Sequence, residues 1–260
     1  MRQAIRALGW ATNILWVMII VFSVTLLYSV MNVFPNVSFG EPRFLSSNGV
    51  VVMSLPFSIN NTGYYDISEL NITTYVMDHK GAEISTSTTL VRSIPQGSSI
   101  DESHNVSIKV NDMIERGLSY LLFNDSVFNM SMLIALKFAH IIPIQVSTEG
   151  TMPWGAPLYN FFIGEISYNL YNLTHYKVVI PLSFENHSFF SLNGTILFEV
   201  YNGQNERLGS GVTSVNVPSN TRCKDLVEVI VRGDPREITE VRVYLDTSLF
   251  SFGPVVMRRD

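Results

Sequence analysis

Cysteine is almost absent from this chain of 260 residues, in which Cys223 is the only one. A single cysteine can form neither an intrachain disulfide nor a thiolate metal cluster. Core packing must therefore hold the fold together, and we expect Cys223 to be a buried structural residue.

Charged residues are also scarce, at 15% of the chain, and 22 acids outnumber 17 bases. Leaving out Arg2 and Arg6, which precede the first apolar run, gives 15 bases against 22 acids. A surface of this sign argues against nucleic acid as a partner, because that ligand requires a basic face. It also argues against flat adsorption to an anionic membrane.

The sequence lacks the signatures of common catalytic and cofactor sites. It contains no G-x-S-x-G nucleophile elbow, no G-x-G-x-x-G or P-loop phosphate cradle, and no H-E-x-x-H zinc motif. We therefore expect a protein without enzymatic activity, cofactor or metal ion.

The five histidines are spread along the chain, at His79, His104, His140, His175 and His187. The apolar surroundings of His140 predict a structural histidine within a strand. Asp101, Glu102 and His104 lie together in a predicted loop, where we favour a solvated loop over a site for a divalent ion.

One long stretch without charge dominates the N-terminal part of the chain. Residues 10–32 contain no Asp, Glu, Lys or Arg. As a helix these 23 residues would extend about 35 Å, enough to cross a hydrocarbon core of about 30 Å. The sequence predicts a cytosolic segment at 1–9, a transmembrane helix at 10–34, and, because Arg2 and Arg6 precede the run, a plasma-membrane protein with its remainder outside the cell.

Two other interpretations of this stretch remain open. The apolar run is longer than the core of a usual signal peptide, so we favour an uncleaved anchor over cleavage. Arg6-Ala7-Leu8 resembles the processing site of archaeal pilin-like precursors. In that case the chain would be a filament subunit, and Asn13 could form a hydrogen bond between helices.

The chain is rich in the glycosylation motif Asn-x-Ser/Thr, which occurs nine times, always after the apolar run. From 20 Asn and 44 Ser plus Thr, chance would give about three. The excess indicates a glycosylated exterior. The first of the nine motifs, at Asn36, lies close to the bilayer, and the candidate sites are the other eight: Asn60, Asn71, Asn105, Asn124, Asn129, Asn172, Asn186 and Asn193.

An internal repeat organises the exterior part, because residues 55–84 match residues 180–208 at an offset of about 125. Apolar residues alternate in both copies, at Met53, Leu55, Phe57 and Ile59 and at Val178, Ile180, Leu182 and Phe184. Polar turns follow, Asn60-Asn61-Thr62-Gly63 in the first copy and Glu185-Asn186-His187-Ser188 in the second. Alternation of this kind is typical of half-buried strands, and two copies indicate duplication of one β-domain.

Further patterns complete the predicted fold, which is mainly β. Asn111 could cap a short helix that carries Ile114 and Leu118 on one face. Strands are predicted at 127–138 and 141–148, and residues 152–158 should break regular structure before the second copy. We expect two antiparallel β-sandwiches in series, at 46–166 and 167–260, of which only the first has a helix.

These residues resemble the LEA-2 (late embryogenesis abundant group 2) or WHy domain, as found in membrane-anchored archaeal proteins. The resemblance rests on Pro56-Phe57, Asn60-Asn61-Thr62-Gly63, Ile67, Leu70, Ile94-Pro95-Gln96-Gly97 and Trp154-Gly155-Ala156-Pro157-Leu158. It implies two tandem small β-sandwiches, a mostly non-enzymatic role in protection or support at membranes and, for some anchored members, lipid binding or transfer. It supplies no catalytic residue.

The leading functional hypothesis is a glycosylated, single-pass surface protein that is structural or binds a surface protein or a glycan. The first alternative is a lipid-binding module with an apolar groove between its sheets, and the second is the pilin-like subunit. Tyr64-Tyr65 and Phe189-Phe190 lie in matching loops, where we expect them to close one end of each sandwich. Phe161-Phe162 should pack between the domains.

Overall fold

The computed structural model describes residues 2–47 and 49–259. Two α-helices lie in these ranges, α1 (Arg2–Val33) and α2 (Val110–Glu115). The strands are β1 (Val37–Phe39), β2 (Arg43–Ser47), β3 (Val50–Asn60), β4 (Ile67–Met77), β5 (Glu83–Ile94), β6 (Ser99–Lys109), β7 (Ser126–Phe138), β8 (Ile142–Trp154), β9 (Tyr159–Ile163), β10 (Ser167–Asn172), β11 (His175–Asn186), β12 (Leu192–Asn202), β13 (Arg207–Val217), β14 (Thr221–Arg232), β15 (Ile238–Thr247) and β16 (Ser251–Arg258). The predicted fold class, mainly β with an N-terminal helix, sandwich-like antiparallel sheets and a short second helix, is confirmed.

Strand pairing groups β1 to β8 into one unit, which we call module 1 (residues 37–154). One sheet is built on β3, which pairs with β6 on one side and with β1 and β2 in succession on the other. The second sheet has the order β5-β4-β7-β8. The alternating burial of β3 and β4 directs one face of each sheet into the space between them.

The strands β9 to β16 form module 2 (residues 159–258). They pair in the same order as β1 to β8, so that β9 corresponds to β1 and each later strand to the next one of module 1. Thus β11 pairs with β9, β10 and β14, and β13-β12-β15-β16 repeats the second sheet. Two residue pairs, Gly209 with Val231 and Ser210 with Ile230, join β13 to β14 and link the two sheets along one edge.

The duplication extends to individual side chains. Asn61 is fully buried and donates from Nδ2 to the carbonyl oxygens of Tyr65 and Ile94. Asn186, at an offset of 125, is fully buried and donates to the carbonyl oxygens of Phe190 and Val217 in the same way. The repeat detected in the sequence is therefore a repeat of hydrogen-bonded structure.

Two groups of buried apolar residues form the core. The smaller group joins the end of α1, at Val33, to Phe57, Ile67, Ile94 and other residues of module 1. The larger group runs from the other end of module 1 through Trp154 into module 2 without interruption. The two modules therefore share a continuous apolar core, and the helix is attached to the opposite end of module 1.

Strand pairing starts each module earlier than the sequence patterns do. The short strands β1 and β9 precede the predicted starts at residues 46 and 167, and each pairs with the central strand of its module. Strands of three to five residues carry too little alternation to be recognised in the sequence.

The helix and strands near the middle of the chain also differ from expectation. Asn111 lies inside α2 and does not cap it, and its Oδ1 accepts a hydrogen bond from the backbone N–H of Ser251 at 3.1 Å. Gly117 has φ +81° and ends the helical segment, so Leu118 begins a separate turn. β8 continues to Trp154, so the break in regular structure begins at Gly155 and not at residue 152.

Candidate functional site

Helix α1 leaves most of its apolar surface uncovered. The most apolar stretch of 18 residues within Ala7–Val33 has a mean hydropathy of 2.4, and 6% of that stretch is buried. It is the one helix in residues 2–47 and 49–259 that is long and apolar enough to span a membrane. One face of the last three turns is the exception, because there Ser29 and Val33 are buried against module 1.

The segment that receives the helix is the turn between β3 and β4, residues 61–65, which we call the docking loop. The Tyr65 hydroxyl lies 2.7 Å from Thr25 Oγ1, and the backbone N–H of Tyr64 donates to Ser29 Oγ at 2.9 Å. A Cβ on Gly63 would lie 2.9 Å from the Cβ of Ser29, so this close approach requires glycine. Two hydrogen bonds and one close approach therefore join the helix to this loop.

An apolar cleft opens beside this junction, between the two sheets of module 1. It has a volume of about 340 Å³ and is lined almost entirely by apolar side chains. Val37 and Phe39 of β1 form one wall, and Ile144 and Val146 of β8 form the other. Val37 and Ile144 pack against the same core group as Leu26 and Val30 of α1, so the cleft is continuous with the apolar surface at the end of the helix.

Module 2 has the equivalent turn at residues 186–190, which we call the junction loop, and it receives the end of module 1. Phe189 packs on Phe44 at a ring distance of 4.4 Å and on Trp154 at 6.1 Å. Gly155 lies so close that a Cβ there would be 1.9 Å from the His187 carbonyl oxygen.

The two aromatic pairs lie in matching loops, as predicted. Phe190 is buried in the core and Phe189 packs against it. Tyr64 and Tyr65 instead contact Tyr28 and Phe22 of α1, so the expectation that they close the first sandwich is wrong.

A charged cluster spans the same junction. Nδ1 of His187 lies 2.7 Å from Asp125 Oδ2 of module 1, and Nε2 lies 3.2 Å from Glu185. Arg222 also approaches Glu185, at 3.5 Å, and the His187 ring stacks on Tyr159. The hydrogen bond with Asp125 raises the pKa of His187 above its ordinary value; partial burial opposes this, and Glu185 adds to it.

The structure corrects two interpretations of the histidines. His140 lies in the β7–β8 turn with φ +60°, exposed and 3.9 Å from Asp66, and not within a strand. Asp101, Glu102 and His104 lie in β6 and not in a loop. His104 points into the core, where its ring nitrogens each lie 2.9 Å from Thr74 and Thr89, and burial lowers its pKa. Among the described residues, no group of three or more His, Cys, Asp or Glu side chains could hold a metal ion.

The predicted glycosylation sites are not equally accessible. Asn71 is half-buried, and the side chains of six others are exposed: Asn60, Asn105, Asn124, Asn129, Asn172 and Asn193. Asn186 differs, because it is fully buried and its Nδ2, the atom to which a glycan would attach, donates to three carbonyl oxygens. We therefore leave Asn186 out of the candidate sites.

The remaining residues singled out in the sequence have structural roles. Phe161 lies between the modules, 6.0 Å from Phe123 and 6.3 Å from Phe184, whereas Phe162 is exposed. Cys223 is a free, half-buried cysteine, and burial raises the pKa of its thiol.

Sequence reasoning missed the residues that make the two junctions. Ser29 was one polar residue in an apolar run, and Asp125 and His187 are 62 positions apart. A signal was present only at Gly63 and Gly155, since each glycine lies within a motif already noted. The sequence alone could not predict which residues these two glycines contact.

Comparisons with known proteins leave the family open. No protein-family model and no curated protein matches this chain. Solved structures that align with it include red sea bream transglutaminase (12% identity, 86% of this chain and 32% of that chain, TM-score 0.29) and a β-glucuronidase from glycoside hydrolase family 2 (9%, 79%, 24% and 0.31). The periplasmic chaperone SfaE aligns with 12% identity over 85% of this chain and 97% of its own, with a TM-score of 0.31.

The chain spans about a third or less of the two enzymes. Likeness at these TM-scores carries no inference about function. The resemblance to the LEA-2 domain stays a prediction.

Proposed function

We propose that this protein is a non-enzymatic, glycosylated surface protein with a single membrane anchor. Helix α1 crosses the plasma membrane with residues 1–9 in the cytosol, and modules 1 and 2 project outside as one rigid unit that supports or binds a surface protein or a glycan. The observation that carries the proposal is the exposed apolar surface of Ala7–Val33 on a chain whose other apolar residues are largely packed.

Two further features support this proposal. Arg2 and Arg6 precede the helix, which favours a cytosolic N-terminus. Six of the candidate glycosylation motifs have exposed asparagine side chains in the two modules. Rigidity is supported by the junction, where the backbone N–H of Gly49 in module 1 donates to Ser248 of module 2, and that of Leu158, in the linker, donates to Leu122 of module 1.

Protease treatment of intact cells tests the topology. We expect added protease to remove both modules while a reporter fused to the N-terminus survives. Enzymatic deglycosylation should lower the mass, and Asn193→Gln should remove one glycan, whereas Asn216→Gln, an exposed asparagine outside any motif, should change nothing. Modules protected on intact cells and digested only after lysis would refute the proposal.

A second candidate function is lipid binding, and the apolar cleft of module 1 favours it. Its volume of about 340 Å³ falls within the range of small-molecule sites, and its lining is almost free of polar groups. The cleft lies beside the end of the proposed anchor, where an acyl chain from the outer leaflet could enter without crossing water.

A fluorescent long-chain fatty acid tests this candidate on the full chain in detergent micelles. We expect saturable binding that Ile144→Trp abolishes, because the larger ring fills the cleft. Val212→Trp, at an exposed position on module 2, is the matched control and should bind as the parent does. Equal binding by both variants would refute the candidate.

A further inference from the structure

The part of α1 that contacts module 1 overlaps the part that would be needed to span a membrane. A hydrocarbon core of about 30 Å takes about 20 helical residues. Counted from Trp10, the first residue after the proposed cytosolic segment 1–9, such a span reaches Ser29. Contacts with module 1 already begin at Phe22, whose ring lies 5.6 Å from that of Tyr65. A tilted helix would need still more residues, which increases the overlap.

We infer that the docking loop lies within the outer interface of the bilayer, so that module 1 is seated on the membrane and does not swing above it. This inference rests on the proposed function, because it requires α1 to span the membrane. The partner is the lipid interface itself, at the level of the headgroups and the first part of the acyl chains.

The loop has the chemistry that this position demands. Polar groups away from water must be satisfied internally. The N–H groups of Thr62 and Gly63 donate to Asn60 O and Asn61 Oδ1, and that of Tyr64 donates to Ser29 Oγ. The hydroxyl of Tyr65 is held by Thr25. Tyrosine is also enriched at membrane interfaces, where its ring and hydroxyl meet different surroundings.

A second turn at the same end of module 1 has the same character. Ile67 of β4 pairs with Phe138, so the β7–β8 turn lies next to the docking loop, and Ala139 N–H donates to Asp66 O at 3.0 Å. At the tip of this turn Ile141 is 74% exposed. Asp66 and His140 lie beside it, with Nε2 of His140 3.9 Å from Oδ2 of Asp66. An exposed isoleucine beside a membrane helix is explained if lipid covers it.

Depth-dependent quenching tests whether module 1 is seated on the membrane, an arrangement that we call the seat. The measurement uses the full chain in phosphatidylcholine nanodiscs. In a Cys223→Ser background, Tyr64→Cys and Ile141→Cys would each carry an environment-sensitive fluorophore. Leu173→Cys is the matched control, because Leu173 lies 99% exposed in the β10–β11 turn of module 2. We expect lipids spin-labelled near the top of the acyl chain to quench most of the fluorescence at positions 64 and 141 and little at 173.

The same samples distinguish the contact of module 1 with lipid from the insertion of α1 into the bilayer. Trp10 and Trp16 of α1 report the anchor in the same samples through quenching of tryptophan fluorescence, to which the buried Trp154 adds an unquenched part. If these tryptophans are quenched while positions 64 and 141 behave like position 173, the seat is refuted and the anchor stands. If the tryptophans are not quenched either, the proposed membrane span fails, and the seat fails with it.

Discussion

The docking loop of module 1 and the junction loop of module 2 have the same fold and receive different chain segments. Both are built around a buried asparagine, Asn61 or Asn186, and both end in two aromatic residues. The docking loop seats a helix, and the junction loop seats the end of a β-strand and the linker after it. Each turn therefore forms a socket, by which we mean the surface that receives the preceding segment of the chain. This segment is a helix for module 1, and a strand end with its linker for module 2.

The position of the small residue differs between the two sockets. In the docking loop the glycine belongs to the socket, at Gly63, and the incoming helix carries Ser29. In the junction the glycine belongs to the incoming chain, at Gly155, and the socket carries Ser188 at the position equivalent to Gly63. Close approach requires one glycine per contact, and either side can supply it.

Of the substitutions that test this comparison, Gly155→Ala should cause the largest loss of stability. Its Cβ would lie 1.9 Å from the His187 carbonyl oxygen, a backbone atom that cannot rotate away. We expect a loss of about 3 kcal/mol or more in the free energy of unfolding, at the upper end for overpacking. Urea denaturation in micelles measures it. Gly150→Ala, where nothing lies within 4 Å, should be neutral, and equal effects of the two variants would contradict the assigned contact.

The buried asparagines should come next. Asn186→Ala would leave the carbonyl oxygens of Phe190, Val217 and Pro218 without this donor, at an expected cost of about 2–3 kcal/mol. Asn61→Ala removes the donor to two carbonyl oxygens, and we expect a smaller loss. Thermal unfolding followed by circular dichroism compares them, with the exposed Asn216→Ala as the control. A larger loss at Asn61 would break the equivalence of the two sockets.

Sequence periodicity predicted the strands and the duplication well, because alternation of buried and exposed residues in Val50–Asn60 and His175–Asn186 is a local property. It also located both sockets, through the repeated turn. It could not show what each socket holds, since Ser29 reaches Tyr64 across 35 positions and Trp154 reaches Phe189 across the module boundary.

His140 and His104 show the same limit in side-chain environment. Runs of apolar neighbours placed His140 in a strand, but Ala139 and His140 adopt positive φ and form a turn. His104 is flanked by polar residues in the sequence, yet the pleat of β6 points it into the core. Local composition does not determine which face of a strand is buried.

Gly63→Ala should cost less than the changes above, about 1–2 kcal/mol, because the new Cβ meets the side chain of Ser29 and the helix can shift. We expect the helix to detach from the docking loop before module 1 unfolds. Crosslinking between cysteines introduced at Thr25 and Tyr65 measures this attachment. Gly150→Ala is the control, because Gly150, like Gly63, has no positive φ, and nothing lies within 4 Å of its added Cβ. Unchanged crosslinking in Gly63→Ala would show that the close approach is not required.

The smallest expected effect is the pH dependence of the junction. The pKa of His187 is raised in the folded state, so its contribution to stability is complete below the unfolded value near 6.5 and is lost as pH rises through the folded pKa. Because the cluster is partly solvated, we expect about 0.5–1 kcal/mol. Urea unfolding between pH 5.5 and 8.5 should show this decline in the parent and in His175→Gln, but not in His187→Gln.

His104 provides a contrast of opposite sign within the same scan. Burial lowers its pKa, so the unfolded chain takes up a proton that the folded chain refuses, and stability is lost as pH falls below about 6.5. His104 lies inside module 1, whereas His187 bridges the modules. Lowering the pH should therefore destabilise module 1, whereas raising the pH should destabilise the junction between the modules. If the His187→Gln variant still lost stability as the pH rises, another group would be responsible for that loss. The ion pair between His187 and Asp125 would then not stabilise the junction.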